Sequence, residues 1–567
     1  MPVDTLRAEI ARALHSLGVE DAGEIVLERP RNPDHGDWAT NVALQLAKPL
    51  RKAPRQIAEE LVDLLDVQRA GVSAAEIAGP GFINFRLAAE EVQGRLLEIA
   101  EADAAFGRSD AGRGEAVNVE FVSANPTGPL HIGHGRQAAL GDAISSLLAW
   151  TGWKVQREYY YNDAGEQINR LARSTWARYQ QEQGREVDFP EDGYQGDYVT
   201  DIARELAAAE GDRWADDDSP EALEAMRRFA VRVLMTELER DLDTFRVEFD
   251  EFYLESSLYE EGHVESTISR LRESGLVYEK DGALWLRTTE YGDDKDRVMV
   301  KSTGHPTYFL PDVAYHVTKW ERGFHRAINV QGADHHGTIA RVRAGLRALG
   351  HPEGYPEYVL HQMVLVIRGG AEVKFSKRAG DYVTLRELFD EVGVDVARYF
   401  FLMRRPEAQL TFDLDLALDQ SDKNPVYKVQ YAHARMCSIA RKGGVELDAV
   451  DPASADLSLL ERDSEIGLIK EIARFPEVIE EAAAQRAPHS VCAYLESLAG
   501  MINSWYHEGN DDPSLRVIGV EDDLMRARMV LVRAIRIVLR NGLAVLGVSA
   551  PERMEREQAI ETAEAAA

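Results

Sequence analysis

Two pairs of side chains, about 240 residues apart in a chain of 567, are of the types that hold a polyphosphate. His131 and His134 stand three residues apart, where the rigid run ANPTGPL meets an apolar-periodic stretch. At a helix start their N–H groups would lie beside the positive end of the helix dipole, which stabilises phosphate oxygens. Gly133 between them leaves room for a flat base on the backbone. Taken alone, the pair equally suits two capping surface histidines or half of a metal site. The second pair is Lys374 and Lys377 in VKFSKR, after Arg368, Gly369 and Gly370 in an expected loop. Compact ammonium groups on flexible stems suit a triphosphate that is gripped and then released as pyrophosphate, with Ser376 between them as a nucleotide contact. A solvated basic loop is the plainer alternative.

The elements around these residues read as an α/β fold. VNVEFV (117–122) predicts a strand, and Ala139, Leu140, Ile144, Leu147 and Leu148 predict a helix after the loop. Further β-rich runs at 327–330 (AINV) and 362–367 (QMVLVI), separated by helical patterns, predict a Rossmann-like parallel sheet covered on both faces. A nucleotide is expected at the carboxyl ends of its strands. GADHH (332–336) follows one of them, so Gln331, Gly332, Asp334 and His335 are candidate ribose or adenine contacts, or else a polar turn capping the next helix.

Before the sheet, residues 1–110 predict a small α+β domain, with Leu6, Ile10 and Leu14 on one helix face and a strand at 82–85 after Gly79, Pro80 and Gly81. Its run KPLRKAPR offers Lys48, Arg51, Lys52 and Arg55 to phosphates, or merely starts a solvated helix. The catalytic part runs over 111–412, with an acidic helical insertion at about 180–290. From 413 to 567 the pattern is helical throughout, at 426–440, 458–473, 491–505 and 524–546, predicting a bundle. Lys428 and Arg435 flank Tyr427 and Tyr431 at its start, a cation and aromatic pattern suited to unstacked RNA bases, although the tyrosines could instead pack the bundle. Arg526, Arg533 and Arg540 make a stripe facing RNA or water.

The formal charge of −32 excludes a generally basic polyanion binder, so nucleic acid must be held by local patches. Two cysteines are too few for a disulfide framework or a thiolate-rich zinc site, so no bound zinc is expected. No apolar run is long enough to span a membrane, and the N-terminus lacks a signal-peptide pattern. A cytoplasmic location is therefore expected, with a monomer as the default.

Together and in this order, the two motifs resemble the HIGH and KMSKS signatures of class I aminoacyl-tRNA synthetases; KFSKR departs at its second and fifth positions and keeps both lysines. VEFVSANPTGPLHIGHGR and NPVYKVQYAHARMCSI are similar to arginyl-tRNA synthetases, and the likeness extends over nearly the whole chain. That resemblance implies an N-terminal domain touching the tRNA elbow, a Rossmann catalytic domain, an insertion near the acceptor end and an anticodon-binding bundle. It implies an arginyl-adenylate made from L-arginine and ATP with Mg2+, then transfer to the terminal adenosine of tRNA(Arg). A guanidinium asks for fixed carboxylates in fork geometry. By resemblance Glu120, Tyr308 and Asp312 line that pocket, while Ser123, Asn125 and His131 hold the amino and carboxylate ends. Two other functions compete. The string Asp334, His335, His336 also suits a metal-dependent phosphoesterase, and a synthetase-like protein could bind tRNA without charging it, although its signature should then be broken.

Overall fold

The computed structural model describes residues 2–30, 32–163, 165–373 and 383–554. They form two compact units: Met1–Phe106 with Arg435–Phe475 and Gly500–Val538, and Gly107–Ala434 with Pro476–Ala499 and Leu539–Ala567.

The larger unit is built on five parallel strands, in the spatial order Glu357–His361, Ala327–Gly332, Ala116–Glu120, Lys154–Tyr161, Glu251–Leu254. The chain thus runs outward from Ala116–Glu120 over three strands and then returns to its other side. That reversal makes a crevice at the carboxyl ends of Ala116–Glu120 and Ala327–Gly332, the place where open α/β sheets bind ligands. Val117, Asn118, Val119 and Glu120 are all buried, so this central strand is covered on both faces although its sequence alternates apolar and polar residues. The helix Ile132–Trp150 lies tight on the sheet through Gly141: a Cβ there would sit 2.1 Å from Cγ of Phe121.

Two buried guanidinium groups lock this helix in place. Arg136, fully buried, donates to the carbonyls of Gln362 (2.7 Å), Arg405 (3.0 Å) and Ala408 (3.1 Å). Arg398 bonds Asp142 on the same helix and donates to the carbonyls of Phe245 (2.6 Å) and Leu546 (3.1 Å). Leaving such buried carbonyls without donors would cost about 1–3 kcal/mol each.

The sequence expectations fail at two places. The run at 362–367 does not join the parallel sheet. Glu357–His361 is the edge strand, and after Gln362, whose N–H and C=O are held by Pro406 and Arg136, the chain enters a separate sheet. There Val364–Arg368 pairs parallel with Leu410–Asp413 and antiparallel with Ala371–Glu372. Gly369 (φ 57°) and Gly370 (φ 76°) supply the positive φ values that this two-residue hairpin needs. The expected helical insertion also ends early. Helices Glu166–Glu182, Asp197–Glu210 and Pro220–Thr244 give way to Glu251–Leu254, a strand of the main sheet, and residues 277–300 contain a three-stranded antiparallel sheet. The short run EFYL, flanked by acids, hides this strand because only its pairing with Glu158–Tyr161 identifies it.

In the smaller unit, Leu6, Ile10 and Leu14 of the helix Pro2–Ser16 are buried against Ile83 and Phe85 of an antiparallel three-stranded sheet. The helix Ala89–Ala102 packs on Asp463–Ala473 of the C-terminal region, with Gln93 donating to the carbonyl of Leu460 at 3.3 Å. The C-terminal helices are Pro425–Lys442, Asp463–Ala473, Phe475–Gln485, Pro488–Asp511 and Asp522–Val545.

Candidate active site

Where Ala116–Glu120 ends, the chain turns through Val122 (φ 66°) and Ser123 (φ 42°), a left-handed conformation that non-glycine residues rarely adopt. Asn125 then bridges this loop to the next crossover: its Oδ1 accepts from the Asn162 N–H (3.0 Å) and its Nδ2 donates to Gln167 (2.8 Å). His131 is the N-cap of Ile132–Trp150. Its Nδ1 accepts from the N–H groups of Gly133 (3.0 Å) and His134 (3.4 Å), and His134 Nδ1 accepts from the His131 N–H (3.4 Å).

This reciprocal cap fixes the chemistry of both imidazoles. With each Nδ1 accepting, the ring proton resides on Nε2, so both histidines present Nε2–H as donors. The rings stack at 3.7 Å, and burial holds both below the usual histidine range, His134 at about 3 with help from His131 and His361. They are neutral donors rather than imidazolium cations. Gly133 also makes room for the capping ring: a Cβ there would stand 2.9 Å from Cε1 of His131.

Lys374, Ser376 and Lys377 lie outside the described residues. Their flanks are described, and the exit flank is bound to the first motif. Ile132 N–H donates to Val383 O (3.3 Å), Leu385 N–H donates to Leu130 O (2.8 Å), and Thr384 bridges His131.

The crevice holds a cavity of 830 Å³ lined by Glu120, Ser123, Asn125, Glu255, Tyr308 and Asp312, and further on by Gln331, His335 and Arg341. Asp312 sits in the first turn of the helix Phe309–Glu321, one turn after Tyr308, which is 78% exposed on the rim. Burial pushes the Asp312 carboxyl up to about 7, with Glu120 and Glu255 adding to the shift and Arg341 opposing it. Glu255, whose own carboxyl is raised by burial, accepts from Tyr160 OH at 2.8 Å. Glu120 accepts from Lys319 Nζ (2.6 Å) and from Ser123 Oγ (3.2 Å), and Ser123 Oγ in turn accepts from the Tyr160 N–H. Ser123 therefore braces a pocket carboxylate as well as lining the cavity. Sequence reasoning missed Glu255, Lys319 and Arg341. Only strand order brings Glu255 here, one residue past Glu251–Leu254.

Gln331, Gly332, Asp334 and His335 follow one another at the end of Ala327–Gly332. Gln331 and His335 face the cavity, Gln331 Oε1 is buried with no hydrogen-bond partner among the described residues, and Asp334 is exposed 3.5 Å from His335. Ala333–His335 is a short 3-10 turn into the helix His336–Ala348. Among the described residues, no three His, Cys, Asp or Glu side chains converge in a way that could hold a metal ion.

The expected RNA contacts are scattered. Lys48, Arg51, Lys52 and Arg55 are exposed around the end of the helix Val42–Leu50, with Lys52 bound to Glu60 (2.7 Å) and Arg55 near Glu59 (3.3 Å). Tyr427 is buried and stacks at 5.8 Å on Tyr431, which is partly exposed near Lys428. In the smaller unit, Arg435 lies 4.4 Å over the Tyr506 ring in a cavity of 230 Å³ that Lys442, Trp505 and Arg516 also line. Arg533, from the expected stripe, is used internally, donating to the carbonyls of Val450 (2.5 Å) and Ala100 (3.3 Å).

A doubly wound parallel sheet with a histidine-capped helix at its switch point is the arrangement of the catalytic domain of a class I aminoacyl-tRNA synthetase. Comparison with known proteins makes the assignment particular. Residues 99–403 match the family described as tRNA synthetases class I (R), catalytic domain; residues 4–87 match the arginyl tRNA synthetase N terminal domain; and residues 429–554 match the DALR anticodon binding domain. The chain is 54% identical over 541 residues to an arginine–tRNA ligase of Geotalea uraniireducens, covering 94% of this chain and 95% of that one. It is 53% identical over 568 residues to one of Geobacter metallireducens, covering 97% and 100%. The solved Thermus thermophilus arginyl-tRNA synthetase is 26% identical and superposes with a TM-score of 0.74 over 97% of this chain and 99% of that one. The chain belongs to the arginyl-tRNA synthetase family.

Proposed function

We propose that this chain activates L-arginine with ATP to form arginyl-adenylate, then transfers the arginyl group to the terminal adenosine of tRNA(Arg) in protein synthesis. The observation that carries this reading is the convergence of Glu120, Glu255 and Asp312 in one cavity at the strand ends that also bear the His131 and His134 cap.

A carboxylate oxygen of arginine attacks the α-phosphorus of ATP, the new O–P bond replaces the bond to pyrophosphate, and no protein nucleophile is needed. Placement and charge stabilisation supply the rate. The Nε2–H groups of His131 and His134 donate to phosphate oxygens, and Lys374 and Lys377 supply positive charge to the same triphosphate. Mg2+ enters with ATP as part of the substrate. Asp312, Glu255 and Glu120 take the guanidinium, with Tyr308 over the rim. Asn125 and Ser123 place the amino and carboxylate ends together with His131. The orphan acceptor of Gln331 faces the same cavity as Asp312, so we assign it to arginine rather than to ribose, leaving Gly133, Gly332, Asp334, His335 and Ser376 to the nucleotide. A site of buried groups that an analogue leaves unpaired rejects that analogue by about 10⁴–10⁵, so no editing domain is required.

The functional division follows the sequence boundaries: 1–110 touching tRNA through Lys48, Arg51, Lys52 and Arg55; 111–412 catalytic; 413–567 reading the anticodon through Lys428, Tyr431 and Arg435. Tyr427 supports Tyr431 from within. Among the described residues no helix is long and apolar enough to cross a membrane. We place the enzyme in the cytoplasm as a monomer.

Pyrophosphate exchange with each of the twenty amino acids, with and without total tRNA, tests the reading. Arginine alone should support exchange; exchange driven by another amino acid would overturn it.

A further inference from the structure

The arginine pocket is walled by a carboxylate that already has a cation. Lys319, fully buried in the helix Phe309–Glu321, donates to Glu120 Oε2 at 2.6 Å and to Asn329 Oδ1 at 3.3 Å, and lies 4.4 Å over the Tyr315 ring. Glu158 stands 4.0 Å from the same ammonium and is held by Arg322 (2.7 Å) and Tyr315 OH (2.5 Å). Lys319 and the two carboxylates are buried and, with Arg322 reaching in from the surface, form a charge-balanced set. The set is tied laterally to Asp312. Asn329 Nδ2 donates to His316 Nε2 (2.7 Å), and His316 Nδ1–H donates to the Asp312 carbonyl (2.7 Å).

We propose that Lys319 is a positioning residue for amino-acid recognition, holding Glu120 in one orientation so that the incoming guanidinium meets a preplaced carboxyl group. The inference rests on the arginine reading above. Three acceptors, Glu120, Glu255 and Asp312, share one cavity, and like charges so close favour protonation of at least one. The resident ammonium holds the Glu120 carboxyl in one place among them. It cannot leave, because it is sealed from solvent and its three donors are engaged by Glu120, Asn329 and the Tyr315 face. Lys319 does not line the cavity, so it acts through Glu120 rather than on the substrate.

The test compares Lys319→Met, Glu120→Gln and the double variant with the full-length wild-type enzyme in pyrophosphate exchange. Wild-type exchange that does not depend on arginine would sink the functional reading itself, separately from this inference. If Lys319 acts through Glu120, Lys319→Met raises the arginine KM by at least about tenfold while the ATP KM stays within about twofold, as expected for a broken buried pair confined to one subsite. The double variant then matches Glu120→Gln for arginine, since removing the ammonium no longer matters once its carboxylate is gone. An unchanged arginine KM in Lys319→Met, or equal rises for arginine and ATP, would overturn the proposal. If Lys319→Met does not fold, the double variant, with both charges removed, decides: parity with Glu120→Gln supports the proposal, and a further tenfold loss overturns it.

Discussion

Asp312 makes arginine binding a proton-linked event. In the empty cavity its carboxyl is pushed up to about 7 by burial and by the charges of Glu120 and Glu255. A guanidinium binds the ionised form, so below pH 7 a proton must leave as arginine enters. The arginine Kd should therefore rise about tenfold per pH unit below 7 and flatten above it, one unit being worth about 1.4 kcal/mol. Between pH 8 and pH 6 the expected weakening is about tenfold. Few other groups in the crevice compete in this window, because burial holds His134 at about 3 and His316 and His361 at about 4. Calorimetric titration of arginine at pH 6, 7 and 8, in buffers of differing ionisation enthalpy, measures both the affinity and the proton released. Asp312→Asn should lose about 100-fold or more in affinity, as expected for removing one partner of a buried charge pair, and should bind without this pH dependence. A wild-type Kd that is flat from pH 6 to 8, or an Asp312→Asn enzyme with the wild-type slope, would refute the reasoning.

The same shift has a consequence for stability. The folded carboxyl at about 7 lies above the unfolded value of about 3.9, so protonation stabilises the empty protein and that stabilisation is lost as the pH rises through 7. Without arginine, Asp312→Asn should thus melt at a higher temperature than wild type at pH 8, and still be the more stable by about a third of that free-energy difference at pH 5, where the unfolded Asp has already ionised; scanning calorimetry reads both. Removing the phosphate donor in His134→Ala should lower kcat by about 10²–10³ with little change in arginine KM, measured by single-turnover adenylation. Gly133→Ala should impair ATP use more than thermal stability, because the added methyl displaces the His131 ring rather than the core; a normal ATP KM would contradict this. Arg136→Met should lower the first unfolding transition, since the carbonyls of Gln362, Arg405 and Ala408 lose their donor at about 1–3 kcal/mol each.

Much of this site is legible from local pattern. The histidine pair, its glycine, and the lysine segment declare themselves by spacing within a few residues, and the alternation around Val117 marks the strand that delivers Glu120. Residues whose roles depend on pairing over long distances do not declare themselves. Lys319, in the run VTKWE, reads as a solvent face and is buried only because Glu120, 199 residues earlier, arrives beside it. Arg136 looks like a surface residue after the signature and instead serves carbonyls more than 200 residues away. Glu255 needs the fifth strand, which a four-residue run flanked by acids does not advertise. The apolar run at 362–367 misleads for the opposite reason: composition marks a strand, but the hydrogen bonds at Gln362 decide which sheet receives it. The packing of the N-terminal domain on Asp463–Ala473 likewise leaves no local trace.

The central claim is that one crevice holds the guanidinium at Asp312 and the phosphate at the two histidines. A crystal structure with a non-hydrolysable arginyl-adenylate analogue tests it most directly. The account predicts the guanidinium within hydrogen-bonding distance of Asp312 and the phosphate within reach of the Nε2 atoms of His131 and His134. An analogue seated with its guanidinium away from Asp312, or its phosphate away from both histidines, would contradict it.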